Sequence, residues 1–487
     1  VPTRLQSDTQ TTETIAAPQR LPQLAWLLVA VIIVTGAVTG VRRAVRNRPD
    51  WQPLHDDVCY VWEHGHTAPG TTMFGYLPTT TFALLPFMAW LPVPVGAPLY
   101  VLTNLIAAGA GVWIVWRYWP RPAGTTIFWP VLLASVNFAH PIQGNQLTLW
   151  TLVLCIAGLT LVERRRGLAG GVVLGLAAAL KTLPALLLGY CLLRRRWRAA
   201  AGMVLGVVLF DFVPSVAYFG WKGAWDEHRA WVQRAGWHSN QVQISDPLMR
   251  ASQHKSNFSY SSVLARWLRD TPATGQVRLR GSPPPDVVES IRTNLRPGEV
   301  LTLDPMPAHY GGWCVEHEDI SWMPHFHVAN WSARTVLAIW AVTLAAGLGA
   351  LAWITWRSPP TGARWTALAA LWMLAIFWPS PMARHYYLAW AFPALVVVCG
   401  ALESELQTGG GNRRAGTRLL LAAVAAWVIG IACLGWPLVR WYGLHLVVLA
   451  MLTAATVSVW ASTARLGRGA SGAAQRTART TPGGAAG

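Results

Sequence analysis

Apolar residues run along this chain in long unbroken blocks, without the alternation or the three-to-four spacing of half-buried elements. The blocks cover residues 24–41 and about 95–117, 124–140, 146–162, 167–180, 182–193, 199–219, 333–356, 364–379, 385–402, 418–435 and 442–462. A helix of ~20 residues crosses a bilayer core of ~30 Å, so this pattern predicts an all-α polytopic membrane protein with about 12 transmembrane helices. Several blocks are short for an upright crossing. The pair flanking Lys181 is the shortest, which predicts a re-entrant or broken hairpin. Block 24–41 is too long for a signal-peptide core and no small-residue cleavage pattern follows it, so it reads as the first span.

Between the blocks lie two long polar segments. The chain divides into a cytoplasmic tail at 1–23, an N-terminal membrane domain at 24–219 with an outer loop at 42–94, and a large extracytoplasmic loop at 220–332. A C-terminal membrane domain at 333–463 and a disordered cytoplasmic tail at 464–487, rich in Gly, Ala, Thr and Arg, complete it. Within the large loop, Asp286 and Glu289 have the spacing of a capping box, and 299–303 reads as a strand.

Composition agrees with the blocks. Hydrophobic residues make up 53% and charged residues 12% of 487, about half the charge of a soluble domain, too little to cover a soluble surface of this size. The net charge of +18 comes from 36 Arg and 3 Lys. Arg117 and Arg121, 164–166, 194–198, Arg357 and Arg364, 413–418 and the tail are short clusters between blocks, which suits topology determinants on the cytoplasmic side and not a nucleic-acid surface. Twelve crossings with both termini inside satisfy all of them. Arg42, Arg43, Arg46 and Arg48 are the exception.

That topology gathers the polar residues on the outer face: Asp56 and Asp57, then Gln143, Asn145 and Gln146, then Lys181, Asn257 and Ser259, and Arg384 with His385. A carboxylate can take a proton from an attacking hydroxyl. Lys, Arg and His can hold a departing phosphate, and an ionisable group inside an apolar run is costly enough to mark Lys181 as functional. Bland readings stand beside these: solvated loop acids for Asp56 and Asp57, a snorkelling lysine, an interfacial histidine, and turn-capping amides at 143–146. Asp211, inside the seventh block, reads as pairing with a nearby Arg. His64 with His66, and His325 with His327, lack convincing third and fourth metal ligands, so no metal is expected. Cys59 and Cys314 fall on the two outer segments, where a disulfide would fit an oxidising compartment.

The segment 56–60, Asp-Asp-Val-Cys-Tyr, followed by Phe-Gly-Tyr-Leu-Pro at 74–78, resembles the first outer loop of the C-fold (GT-C) glycosyltransferases of family 87. Gly144-Asn145-Gln146 is similar to that family's Gly-Asn-Gln turn, and Leu-Lys-Thr-Leu-Pro at 180–184 before the basic 194–198 to its Lys-x-x-Pro and basic stop. Asn257-Phe258-Ser259 is similar to Asn-Gln-Ser with Phe replacing Gln. Ser-Pro-Met-Ala-Arg-His at 380–385 is similar to Ser-Pro-x-Ser-Trp-x-His, one residue shorter and without the Trp.

The resemblance runs in order over about 24–400 and implies a GT-C fold. It implies an inverting transferase that moves a sugar, mannose foremost, from a polyprenyl-phosphate donor to a hydroxyl of a glycolipid or glycan. It also implies Asp56 as base, with Asp57 its rival, and His385 as a second essential residue. Lys181 and Arg384 are expected on the donor phosphate, and Asp57, Gln143, Asn145, Gln146, Asn257 and Ser259 on substrate. No cofactor is expected. The partners are membrane lipids and the two substrates, without nucleic acid, at the extracytoplasmic face of the plasma membrane. The competing reading is a transporter or flippase for a lipid-linked or anionic solute, although alternating access builds its site near the midplane.

Overall fold

The computed structural model describes residues 20–46, 51–66, 77–120, 122, 125–232, 259–269, 276–281, 284–295, 300–304, 313–318, 327–358, 363–380, 384–407, 414–436 and 442–480. Every predicted apolar block carries a helix. They are α1 (Arg20–Val45), α4 (Val93–Tyr118), α5 (Phe128–Gln143), α6 (Thr148–Glu163), α7 (Gly167–Leu180), α8 (Leu187–Leu193) after a short 3-10 turn, α9 (Trp197–Val207), α13 (Ala333–Arg357), α14 (Ala363–Ala375), α15 (Phe392–Gln407), α16 (Arg414–Ala432) and α17 (Leu444–Thr480). Seven helical stretches among the described residues are long and apolar enough to cross a membrane, the longest of them Trp197–Arg229. The stretches Thr148–Glu163, Gly167–Leu180 and Leu183–Leu193 are shorter apolar helices, as the sequence predicts for the hairpin around Lys181. The long helices turn apolar side chains outward, with Val342 and Trp356 each 67% exposed. A surface of that kind belongs in hydrocarbon.

The core runs through most of the bundle, with Leu159 of α6, Leu368 and Met373 of α14 and Leu395 of α15 fully enclosed. Helices α7 and α9 approach more closely still. A Cβ on Gly171 would overlap the Ala199 carbonyl, and one on Gly206 would overlap that of Val172. Small residues four apart let the two backbones touch, which drives helix association where lipid tails remove the hydrophobic term.

Side-chain contacts sort the interhelical turns into two ends. At one end Lys181 reaches Thr148, and a Cβ on Gly40 would meet the Ile142 carbonyl. At the other, Arg196 pairs with Glu163, Trp119 donates to Thr160, Arg194 donates to the Ser358 carbonyl, and Thr126 binds Glu403. The clusters 164–166, 194–198 and Arg357 therefore share one end. Arg42, Arg43 and Arg46, at the far end of α1, stand apart from them.

Among their described residues the two polar segments carry regular elements. Segment 42–94 carries α2 (Gln52–His64) and α3 (Pro78–Met88). The seventh block does not end at 219: helix α10 (Val213–Trp231) continues through a kink at Gly220, whose φ of 71° suits glycine. Beyond α11 (Tyr260–Leu268), the large loop carries a small sheet of order β2-β1-β3, whose β2 falls on the strand expected at 299–303. Strand β1 (Gln276–Gly281) pairs parallel with β2 (Val300–Asp304) and antiparallel with β3 (Trp313–Glu318). The parallel pair needs a crossover, supplied by α12 (Pro285–Thr293). The expected capping box is absent, because Asp286 lies inside the first turn of α12 and Glu289 pairs with Arg292 at 3.0 Å. Helix α17 runs on to Thr480, through much of the stretch expected to be a disordered tail.

Candidate active site

Helix α2 starts with Trp51 buried behind it and a proline in its first turn, and stops at Gly65 in the left-handed region. Its inward face carries Asp56 and Asp57, both buried beside Val58. His55 Nδ1 lies 3.3 Å from Asp56 Oδ1, and Cys59 Sγ lies 3.7 Å from His55 Nε2. Cys59 is a free thiol that donates to the Met88 carbonyl, so the disulfide that the sequence left open is not formed. The hydrogen bond to Asp56, then that to Cys59, raises the His55 imidazole to about 9 against the opposing effect of burial. The sequence offered one signal for His55, its adjacency to Asp56.

Helix α3 is pinned at its start. Thr79 Oγ1 donates to Asp211 Oδ1 at 2.5 Å, and Thr80 Oγ1 donates to the Leu180 carbonyl at 2.9 Å. Asp211, on a π-helical turn at 208–212, also faces His228 Nε2 at 2.8 Å. Its partners are thus a threonine and a histidine, not the expected arginine. A buried carboxylate needs donors of good geometry whatever their type, and the kink at Gly220 turns His228 back towards it.

The Leu180 bond places α3 against the residue before Lys181. Lys181 is 4% exposed. Its Nζ lies 3.4 Å from Thr148 Oγ1, 4.1 Å from the centre of the Tyr387 ring and 5.5 Å from that of Tyr386. Aromatic faces and a hydroxyl thus line the ammonium. Trp390 Nε1 donates to the Thr148 carbonyl at 3.3 Å, fixing the 385–391 turn to the same helix start. On that turn His385 packs edge to face on His140, ring centres 4.6 Å apart, and Arg384 precedes it half-buried. Thr148, His140, Tyr386 and Tyr387 are additions to the predicted set. Apolar and aromatic neighbours hid them.

The turn at 144–146 closes α5 with Asn145 at a φ of 50°. Asn145 Nδ2 donates to the Gly40 carbonyl at 3.2 Å, and Gln146 Nε2 to the Gly144 carbonyl at 3.1 Å. Both amides tie backbone together, with Gln143 half-buried beside them. Ser259 caps α11 by accepting from the Ser262 N–H, and Asn257 lies outside the described residues. The rings of His64 and His66 pack on Tyr60. Among the described residues no group of three or more His, Cys, Asp or Glu is arranged to hold a metal ion.

Residues 74–279 match the model of Glycosyltransferase family 87. Over that stretch the chain is similar to a glycosyltransferase family, and seven of its described helical stretches are long and apolar enough to cross a membrane. The matched stretch contains Lys181, the 143–146 turn and Ser259, and leaves Asp56, Arg384 and His385 on either side. No curated protein and no solved structure matches the chain.

Proposed function

We propose that the protein is a family 87 glycosyltransferase that moves a sugar, with mannose the first choice, from a polyprenyl-phosphate donor to a hydroxyl of a glycolipid or glycan acceptor. The observation that carries the reading is the Lys181 ammonium, buried against two tyrosine rings and joined through α3 to the helix bearing Asp56. A cation desolvated in this way is a ready partner for a lipid phosphate arriving from the bilayer.

Asp56 takes the proton of the acceptor hydroxyl as its oxygen bonds to the anomeric carbon. The bond from that carbon to the phosphate oxygen breaks, and its electron pair stays on the phosphate. Lys181, with Arg384 or His385, neutralises the charge that develops there. Attack opposite the leaving group inverts the anomeric centre, so a β-linked donor gives an α-linked product. The scheme uses no cofactor. The site is assigned to the extracytoplasmic face of the plasma membrane, since the Arg-rich turns occupy the opposite end of the bundle.

The test is transfer by purified protein in nanodiscs from radiolabelled polyprenyl-phosphate mannose to extracted membrane lipids, with and without chelator. A labelled glycolipid that forms in both conditions and falls by about 10²–10⁴-fold in Asp56→Asn supports the scheme. Unchanged turnover in Asp56→Asn would overturn the assignment of the base.

A further inference from the structure

The chain folds back on itself at Gly220. Asp211 and His228 are 17 residues apart, about 25 Å along a straight helix, yet their side chains meet at 2.8 Å. We propose that Asp211 and His228 form a proton-dependent latch, which holds the start of α3 and through it the bend at Lys181. His228 acts through Asp211, so it is a positioning residue. The inference rests on the reading that Lys181 holds the donor phosphate.

The partners fix where the protons are. His228 Nδ1 lies 2.7 Å from the Ala224 carbonyl, which can only accept, so Nδ1 carries a hydrogen. Nε2 faces Asp211 Oδ2, and one further proton lies between these two atoms. Asp211 Oδ1 accepts from the Thr79 N–H at 3.3 Å and from its hydroxyl at 2.5 Å. Both carboxylate oxygens are thus committed, in a side chain 4% exposed. Loss of the shared proton to water leaves two lone pairs opposed and the acid without its charged partner. A buried carboxylate in that state turns towards water, which takes it from Thr79 and frees the arm 221–231. The hydroxyl of Thr80 donates to the Leu180 carbonyl, so α3 passes the change to the residue before Lys181. The outgoing arm braces the same layer, since Tyr218 donates to the Val61 carbonyl of α2 at 2.7 Å and packs on Phe82 of α3. Water reaches the imidazole, which is 21% exposed. Its own helix presents Asp226, Glu227 and Arg229 nearby, and the π-helical turn presents the Phe212 ring. Helices α3 and α7, which pack against that turn, carry no titratable residue, and the one on α9 is Arg198 at its far end.

The full chain in nanodiscs is followed by hydrogen–deuterium exchange across about pH 5–8, corrected for the intrinsic effect of pH. Exchange of the 221–231 amides is expected to rise by about 10–100-fold as His228 loses its proton, the effect of one hydrogen bond to a charged group. Asp211→Asn should invert that response. Its amide nitrogen can donate only to a neutral Nε2 while its oxygen keeps the Thr79 bond, so the arm is held at high pH and freed at low pH. His228→Gln should abolish the response and carries the test if Asp211→Asn does not fold. A merely structural contact would weaken in both variants with no change of sign. Exchange independent of pH in the wild type, an uninverted response in Asp211→Asn, or a response that persists in His228→Gln overturns the proposal. Transfer from labelled polyprenyl-phosphate mannose is read on the same samples. The donor KM should rise over the interval in which the arm is freed, and a flat KM overturns the link to Lys181. An inverting response in a protein that transfers no sugar upholds the latch and sinks the donor reading.

Discussion

At one end of the bundle the chain reverses through Asn145, at a φ of 50°. At the other it reverses through Arg165 and Arg195, at φ of 64° and 54°. The backbone hydrogen bonds are the same in all three turns. Gln146 N–H reaches the Pro141 carbonyl, Arg166 that of Leu161 and Arg196 that of Cys191, each spanning five residues, while the left-handed residue bonds three back. This is the Schellman closure, in which glycine or asparagine is the comfortable residue. Asparagine at the Lys181 end is comfortable. Arginine at the other end costs about 1–2 kcal/mol in the left-handed region. One end accordingly uses neutral amides to tie its turn and keeps its cation on a separate residue among aromatic rings. The other places cations in the turn itself, against conformational preference, and their charge is what that cost secures.

The comparison breaks most sharply at Lys181. Lys181→Ala should lower transfer from the lipid-phosphate donor by about 10²–10³-fold, read by kinetics on the purified protein. Gly171→Leu, between the two ends, should separate α7 from α9 and cost about 1–3 kcal/mol of stability. Transfer and thermal stability should then fall together, and unchanged transfer would show that the Lys181 end does not depend on this contact.

His55 sharpens the Lys181 end. Its imidazole is raised from the ordinary 6.5 to about 9, chiefly by Asp56. A raised group of this kind stabilises the fold fully below about 6.5 and loses that contribution as pH rises through about 9. Transfer should therefore decline on the alkaline side near 9, and His55→Gln should flatten that limb. The smallest effects belong to the backbone. Arg165→Gly should raise thermal stability by about 1 kcal/mol without affecting transfer. Arg195→Gly should give a similar gain.

Asp56, Lys181 and His385 stood out as candidates because each is a polar residue that an apolar or Tyr/Pro-rich stretch does not need. Their neighbours did not. His55 reads as a loop residue until α2 places it on Asp56, and Thr148 reads as an ordinary helix start until Lys181 comes back to it from 33 positions further on. Ser259 matched a family triplet, yet its hydroxyl caps α11. Asp211 was recognised as needing a partner, but the partner was set by a kink at Gly220 that turns His228 onto it. The glycines of α7 and α9 lie within uniformly apolar runs, and the backbone contact they permit has no pattern of its own in either run.

By itself the sequence determined the helices and their order, because burying backbone polar groups in hydrocarbon leaves a long apolar run one choice, the helix. It also determined the grouping of the arginine clusters, since successive helices that cross and return leave alternate turns at the same end. Only the tertiary structure decided which side chains meet within each end. Lys181 finds Thr148, Tyr386 and Tyr387, and Arg194 finds Ser358, through packing between segments up to about 200 residues apart. Such contacts depend on the close approach of whole helices, a property that no local run of residues carries.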